Sequence, residues 1–274
     1  MEYESHGSPE VLPPPKRRRS RRGRLALLVC VIAVLGAGAV LLLLWKEEGG
    51  EQAKSLTVPE GWRSSQVYAA VDKAVGAAPG TAKKAAASTD LALPAAADGN
   101  PEGYLFPATY PVKDTTTASS LLTYMVKTAN ERFGTGPAVR RDLVVASIVQ
   151  AEADTSADMG KVARVIQNRL DRDMPLQMDS TLNYAMNRST LDTTHEDTRI
   201  DSPYNTYERK GLPPTPIGNP GLEALRAART PPPGNWLYFV TVKPGDTRFT
   251  DDYEVQKRNV EEFNEIRRGA KGTG

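Results

Sequence analysis

The apolar positions of this chain first form one unbroken block and then fall into short periodic stretches. Leu25 to Trp45 runs for 21 residues without a charge. As a helix it would span roughly 31 Å, the thickness of a hydrocarbon core, so the pattern predicts a membrane helix. Residues 46–54 are polar and Gly-rich, a tether. Leu56–Val58 then reads as a strand, Pro59-Glu60-Gly61 as a turn, and Ser64–Val75 as a helix with Val67, Ala70, Val71 and Ala74 on one side. Residues 76–100 are dominated by Ala, with Pro, Gly, Lys and Asp, which fits either a helix pair or a loosely ordered connection. An aromatic-rich strand or turn at Glu102–Tyr110 precedes helices expected over Ala118–Phe133, Asp142–Asp154 and Met159–Leu170. From Pro175 to Gly221 no period is sustained, and irregular stretches this long inside a domain tend to be functional. Asn219-Pro220 reads as a helix start reaching Arg229, with Asn as cap and Pro at the first helical position. Trp236–Val242 is expected as a strand, Lys243–Asp246 as a turn and Asp252–Arg267 as a charged helix. The alternation predicts an α+β fold.

One acid breaks the helical pattern. At about 100° per residue, Val145, Ile148, Val149 and Glu152 share a face, while Gln150 and Asp154 point away from it. A carboxylate among apolar neighbours disfavours its charged form, so its pKa rises and it can hold a proton near neutral pH, as a general acid must. The same position is open to a purely structural reading, a buried carboxylate satisfied by an arginine or by backbone donors.

Charge fixes the expected topology. Lys16 to Arg24 carries seven basic residues on the amino side of the apolar block, and Glu47 and Glu48 follow it. The positive-inside rule then places residues 1–24 in the cytoplasm and everything beyond Lys46 outside, a single-pass protein of the cell membrane. Ala37-Gly38-Ala39 has the form of a signal-peptidase site, but cleavage there would leave Val40-Leu-Leu-Leu-Leu-Trp45 as an apolar terminus, which favours an uncleaved anchor. Residues 1–45 hold seven of the 35 basic and three of the 33 acidic residues, leaving 28 and 30 for the exported part. That near-neutral balance excludes a nucleic-acid binder, and the basic run is explained by topology and anionic lipid. The single cysteine, Cys30, lies inside the apolar block, so the exported part has no internal disulfide. His6 and His195 fall on opposite sides of the membrane, no G-x-S-x-G is present, and neither metal chemistry nor a nucleophilic triad is expected.

Six blocks in order carry a resemblance: Ala146-Ser-Ile-Val-Gln-Ala-Glu152, Val162-Ala-Arg-Val-Ile-Gln-Asn-Arg-Leu170, Leu176-Gln-Met-Asp-Ser-Thr181, Ser202-Pro-Tyr-Asn-Thr-Tyr207, Gly211-Leu-Pro-Pro-Thr-Pro-Ile-Gly-Asn-Pro-Gly221 and Leu237-Tyr-Phe-Val240. Together they resemble the YceG-like family of endolytic murein transglycosylases, the MltG proteins, over roughly residues 102–265. The Val58-Pro-Glu-Gly61 segment and its helix are similar to the LysM-like subdomain that precedes the catalytic region in that family. The organisation so implied is a cytoplasmic tail (1–24), a transmembrane helix (25–45), a tether (46–54), a LysM-like subdomain with its Ala-rich connection (55–100), a catalytic domain (101–268) and a tail (269–274).

The resemblance implies cleavage of the β-1,4 bond between N-acetylmuramic acid and N-acetylglucosamine within peptidoglycan glycan strands, leaving 1,6-anhydromuramoyl ends and needing no cofactor. It also implies peptidoglycan synthases as working neighbours. The family's catalytic glutamate falls on Glu152, and where many members carry a second Glu two residues earlier this chain has Gln150. Ordinary glycosidases need two carboxylates. A lytic enzyme needs one, because the muramic acid 6-hydroxyl is the nucleophile and one Glu can donate a proton and later take one. Asp179 is the other acid in the blocks, read as bonding the loop or orienting Gln177. Gln177, Tyr204, Asn205 and Thr206 are uncharged groups suited to sugar hydroxyls and acetamides, whereas Tyr207, Trp236 and Phe239 read as packing. Two departures stand out. The closing segment Phe249–Gln256 lacks a His that family members often carry, and their Asp-Pro-Thr is here Asp179-Ser180-Thr181. The rival readings are a muramidase pairing Asp179 with Glu152, and a peptidoglycan-binding scaffold with weak or lost catalysis.

Overall fold

A computed structural model describes residues 54–189 and 193–271. Strand β1 (Lys54–Thr57) pairs antiparallel with β2 (Thr109–Val112), Leu56 opposite Tyr110. Between them lie α1 (Ser64–Ala74) and α2 (Thr81–Ser88), and after β2 comes α3 (Ala118–Phe133). Arg63 N–H donates to the Gln66 side chain to start α1, and Thr117 and Ser120 exchange side-chain and backbone bonds to start α3. Leu56, Val67, Val71, Leu91, Leu105, Leu122 and Met125 close one apolar cluster in which α1, α3 and both strands share. The Ala-rich stretch left open by composition resolves as α2 and a 3₁₀ turn at Ala95–Ala97.

The second cluster forms around α4 (Ala138–Glu152), which packs on α5 (Ser156–Asp171) and α7 (Leu222–Arg229). The helix expected from Asp142 begins four residues earlier, and seven consecutive residues, Leu143 to Val149, are all buried. A helix covered all round in this way is held by tertiary packing rather than by an amphipathic stripe. Thr155 caps α5 by accepting from Asp158 N–H at 3.1 Å.

The long irregular stretch contains a short helix that periodicity did not reveal, α6 (Asp179–Ala185), and a 3₁₀ turn at Asp197–Arg199. Asn219, expected as a helix cap, is instead fully buried, and Gly221 precedes α7. Its side chain accepts from Leu105 N–H at 2.8 Å and donates to Trp62 O at 2.8 Å, bonds across more than a hundred residues that outweigh a local cap. Nearby Gly218 is required by close approach, since a Cβ there would sit 2.8 Å from the Gly61 carbonyl oxygen. The Trp236–Val242 strand is observed as β3 (Tyr238–Lys243). It forms a bulged hairpin with β4 (Asp246–Thr250), and α8 (Tyr253–Lys271) packs on both strands. Among the described residues no helix is long and apolar enough to cross a membrane. The expected span at 25–45 lies outside them.

Candidate active site

Glu152 is the last residue of α4, held there by the buried run Leu143–Val149. It keeps an opening to solvent, yet its carboxyl is enclosed closely enough that burial pushes its pKa above the ordinary glutamate value. Ser180 opposes this through its backbone N–H and the nearness of its hydroxyl, which makes no hydrogen bond of its own, while the Asp179 charge adds to the rise. The negative end of the α4 dipole acts in the same direction as burial. No arginine pairs with this carboxyl among the described residues, so the structural alternative of a buried ion pair is not what is observed.

The facing wall is built from α6 and the 202–209 segment. Ser180 N–H donates to Glu152 Oε1 at 3.4 Å. Asp179, first residue of α6, accepts from the Tyr207 hydroxyl at 2.5 Å. Burial first, and then that Asp179 carboxylate, raise the Tyr207 pKa, so the phenol keeps its proton. Asp179 thus bonds the loop through Tyr207, the first of the two roles read for it, and it is Arg169 rather than Asp179 that bonds the Gln177 side chain.

Thr206 staples the two segments together. Its carbonyl accepts from Gln177 N–H at 2.9 Å, and its hydroxyl accepts from Met178 N–H at 3.0 Å and pairs with Thr181 Oγ1 at 2.9 Å. Asn205 is fully buried, donating to Thr198 O and Ile200 O and accepting from Tyr207 N–H and Glu208 N–H. These two residues, grouped by sequence with the sugar contacts, brace the wall from behind. Tyr204 is half-buried, its hydroxyl bonded to Thr215 Oγ1 at 2.7 Å and its ring 4.9 Å from that of Tyr184. Gln177 alone of the four is exposed. Its backbone sits at φ +53°, a left-handed conformation that non-glycine residues adopt at a cost and that clusters at functional sites.

Arg169 holds that conformation in place. It is buried on α5 and donates to Leu237 O, Pro175 O, Leu176 O and the Gln177 side-chain oxygen, at 2.7, 3.1, 2.8 and 3.2 Å. Its guanidinium also lies 5.3 Å from the centre of the Tyr238 ring. Gln150 accepts from Gly221 N–H at 2.9 Å and so ties α4 to the start of α7. In the closing segment Gln256 donates to Phe239 O at 3.1 Å, joining α8 to β3. Among the described residues no cluster of three or more His, Cys, Asp or Glu could hold a metal ion.

Tyr207, Arg169 and Ser180 are the site-building residues that the sequence reading passed over. Arg169 had a legible signal: it lies three, four and seven residues after Ile166, Val165 and Val162, a charge on the packing side of α5, the same anomaly that singles out Glu152. Tyr207 was read as packing, and its hydroxyl bond depends on a fold contact that spans 28 positions.

The chain is similar to several known proteins. The Bacillus subtilis endolytic murein transglycosylase is 37% identical over 171 residues, 59% of this chain and 48% of that protein. The Streptococcus pneumoniae serotype 2 protein of the same name is 38% identical over 175 residues, 59% of this chain and 32% of the relative. The chain therefore spans about half or less of the curated relatives it matches. The 2.6 Å crystal structure of a yceG-like protein from Listeria monocytogenes superposes with a TM-score of 0.65 at 30% identity, covering 75% of each chain. A sequence profile of the YceG-like family matches residues 36–262, more than half the length, and on that match the chain belongs to the YceG-like family.

Proposed function

We propose that this protein is a membrane-anchored endolytic lytic transglycosylase of peptidoglycan, with Glu152 as its catalytic acid and base. The carrying observation is the Glu152 carboxyl, raised in pKa by enclosure at the end of a buried helix and left without a cationic partner among the described residues. Relatives named endolytic murein transglycosylase support the substrate class. In the reaction, Glu152 gives its proton to the glycosidic oxygen as the bond to the muramic acid C1 breaks. The 6-hydroxyl of the same sugar then bonds to C1, and its proton passes to the Glu152 carboxylate, which restores the acid. No water enters, and no second carboxylate is required.

The remaining residues serve that step. Arg169 takes the carbonyl end of the Gln177 side chain, which leaves its amide NH₂ to meet a sugar hydroxyl or acetamide. Asp179 and Tyr207 form a polar pair on the wall facing the acid, and Tyr204 packs its half-buried ring on Tyr184 of α6. Asn205 and Thr206 fix the wall itself. Mixed with the intact full-length protein, long glycan strands are expected to break internally. Their mean length should fall before any disaccharide is released, and release of disaccharides from the start would count against endolytic action.

We assign residues 25–45 to a single membrane anchor with residues 1–24 in the cytoplasm. Residues 55–100 then form a LysM-like subdomain, and residues 101–268 act on glycan near the membrane, beside the peptidoglycan synthases. Seven basic residues before the apolar block and two acids just after it support this orientation. Protease added to intact wall-less cells should digest the part beyond residue 46 and spare the amino terminus. Recovery of a soluble protein beginning near Val40 would show that the block is a cleaved signal.

A further inference from the structure

Ser180 meets the candidate acid in two ways, and only one of them is occupied. Its backbone N–H donates to Glu152 Oε1 at 3.4 Å. Its side-chain Oγ is buried and has no hydrogen-bond partner among the described residues. Buried hydroxyls are rarely left so, and one that belongs to a residue already bonded to a functional carboxyl has a partner within reach of a rotation. Serine χ1 has three staggered wells, so the hydroxyl can change direction without moving α6.

We propose that Ser180 is the positioning residue of Glu152: its N–H fixes Oε1 so that the proton is carried on Oε2, and its hydroxyl rotates to donate to the carboxylate once that proton has left. This rests on the acid–base reading of Glu152 given above. The hydroxyl supplies a bond that only the charged form can fully accept, and so it favours the state reached midway through the reaction. The other groups around the acid act against that state or are neutral. Asp179 on α6 is a like charge, and Tyr207 from the 202–209 segment is a protonated phenol bonded to Asp179. On α4 itself Gln150 is uncharged and engaged by Gly221 N–H, and Asp154, just past its end, is exposed. Arg169 on α5 acts on Tyr207 and Tyr238 rather than on Glu152. Ser180 is therefore the group that keeps the carboxyl able to release its proton despite burial.

The test reads the carboxyl directly. Full-length protein carrying glutamate labelled with ¹³C at the side-chain carboxyl is titrated by NMR, the Glu152 signal being the one lost in Glu152→Gln. Ser180→Ala, which removes the hydroxyl alone, should raise the Glu152 pKa by about one unit. Ser180→Pro, which also removes the N–H and is tolerated in the first turn of a helix, should raise it further. Ser180→Thr, which keeps both donors, should titrate like the parent. Because the protonated acid starts the reaction, the high-pH limb of glycan cleavage should move upward by the same amounts in the Ala and Pro variants. A Glu152 titration unchanged in both variants would overturn the proposal. The NMR readout needs no substrate, so shifted titrations in a protein that cuts no glycan would overturn the proposed reaction while leaving the role of Ser180 intact.

Discussion

Glu152→Gln is expected to leave a folded protein that cuts glycan strands about 10³-fold more slowly, the scale on which a positioned general acid acts. Glutamine keeps the shape and can still accept from Ser180 N–H, but it has no proton to give. Asp154→Asn, two residues on and exposed, should change the rate little. The same substitution carries a second readout that does not depend on substrate. A carboxyl whose pKa is raised by folding is neutral in both states below its unfolded value. As the pH climbs past that value the unfolded chain ionises first, so the folded state is penalised until the pH exceeds the folded pKa, after which the penalty is constant. Burial raises the Glu152 pKa, so Glu152→Gln should gain melting temperature relative to the parent at pH 8 and show no such gain at pH 4. A variant that is unfolded at both pH values would mean that the carboxylate has a structural role.

Arg169→Met should lower stability more than any exposed substitution near the site. Methionine fills much of the same volume but leaves the carbonyls of Leu237, Pro175 and Leu176 without the donors they now have. Each buried acceptor so orphaned costs about 1–3 kcal/mol, and a total of about 3 kcal/mol would lower the melting temperature by roughly 6–12 °C in a domain of this size. Activity should fall too, because Arg169 is what holds Gln177 in its left-handed conformation. A melting temperature within a degree or two of the parent would show that β3 and the 175–177 turn are held by other contacts.

What could be read from sequence follows from how local each signal is. α3 was legible over its whole length, since Leu121, Leu122, Met125, Val126 and Ala129 repeat at helical spacing and Thr117 and Gly134 mark its ends. α6 was not, because seven residues give barely two turns and its sequence, Asp-Ser-Thr-Leu-Asn-Tyr-Ala, has only Thr181 and Leu182 buried. Asn219-Pro220 looked like a helix start, and local capping chemistry lost to bonds with Leu105 and Trp62 that only the folded chain supplies. Glu152 itself was found by an angular argument that the fold qualifies. α4 is buried on every side from Leu143 to Val149, so no stripe distinguishes one face there, and Glu152 stands out because the helix ends at it and the start of α6 bonds to it through Ser180 N–H. Asn205 and Thr206 show the converse. Their residue types suit sugars, but both are buried and bonded to the chain's own backbone, a fate that sequence pattern does not reveal.

The mass and reducibility of the new muramic acid ends test the central claim of a single acid and an internal nucleophile most directly. After the intact protein has acted on purified glycan strands, those ends should be one water lighter than hydrolysis products and should resist borohydride, because the 6-hydroxyl occupies C1. Asp179→Asn should slow the reaction by loosening the Tyr207 contact without changing the product. Ends that contain the added water, that borohydride reduces, and that disappear with Asp179→Asn would contradict the account and establish a two-carboxylate hydrolase.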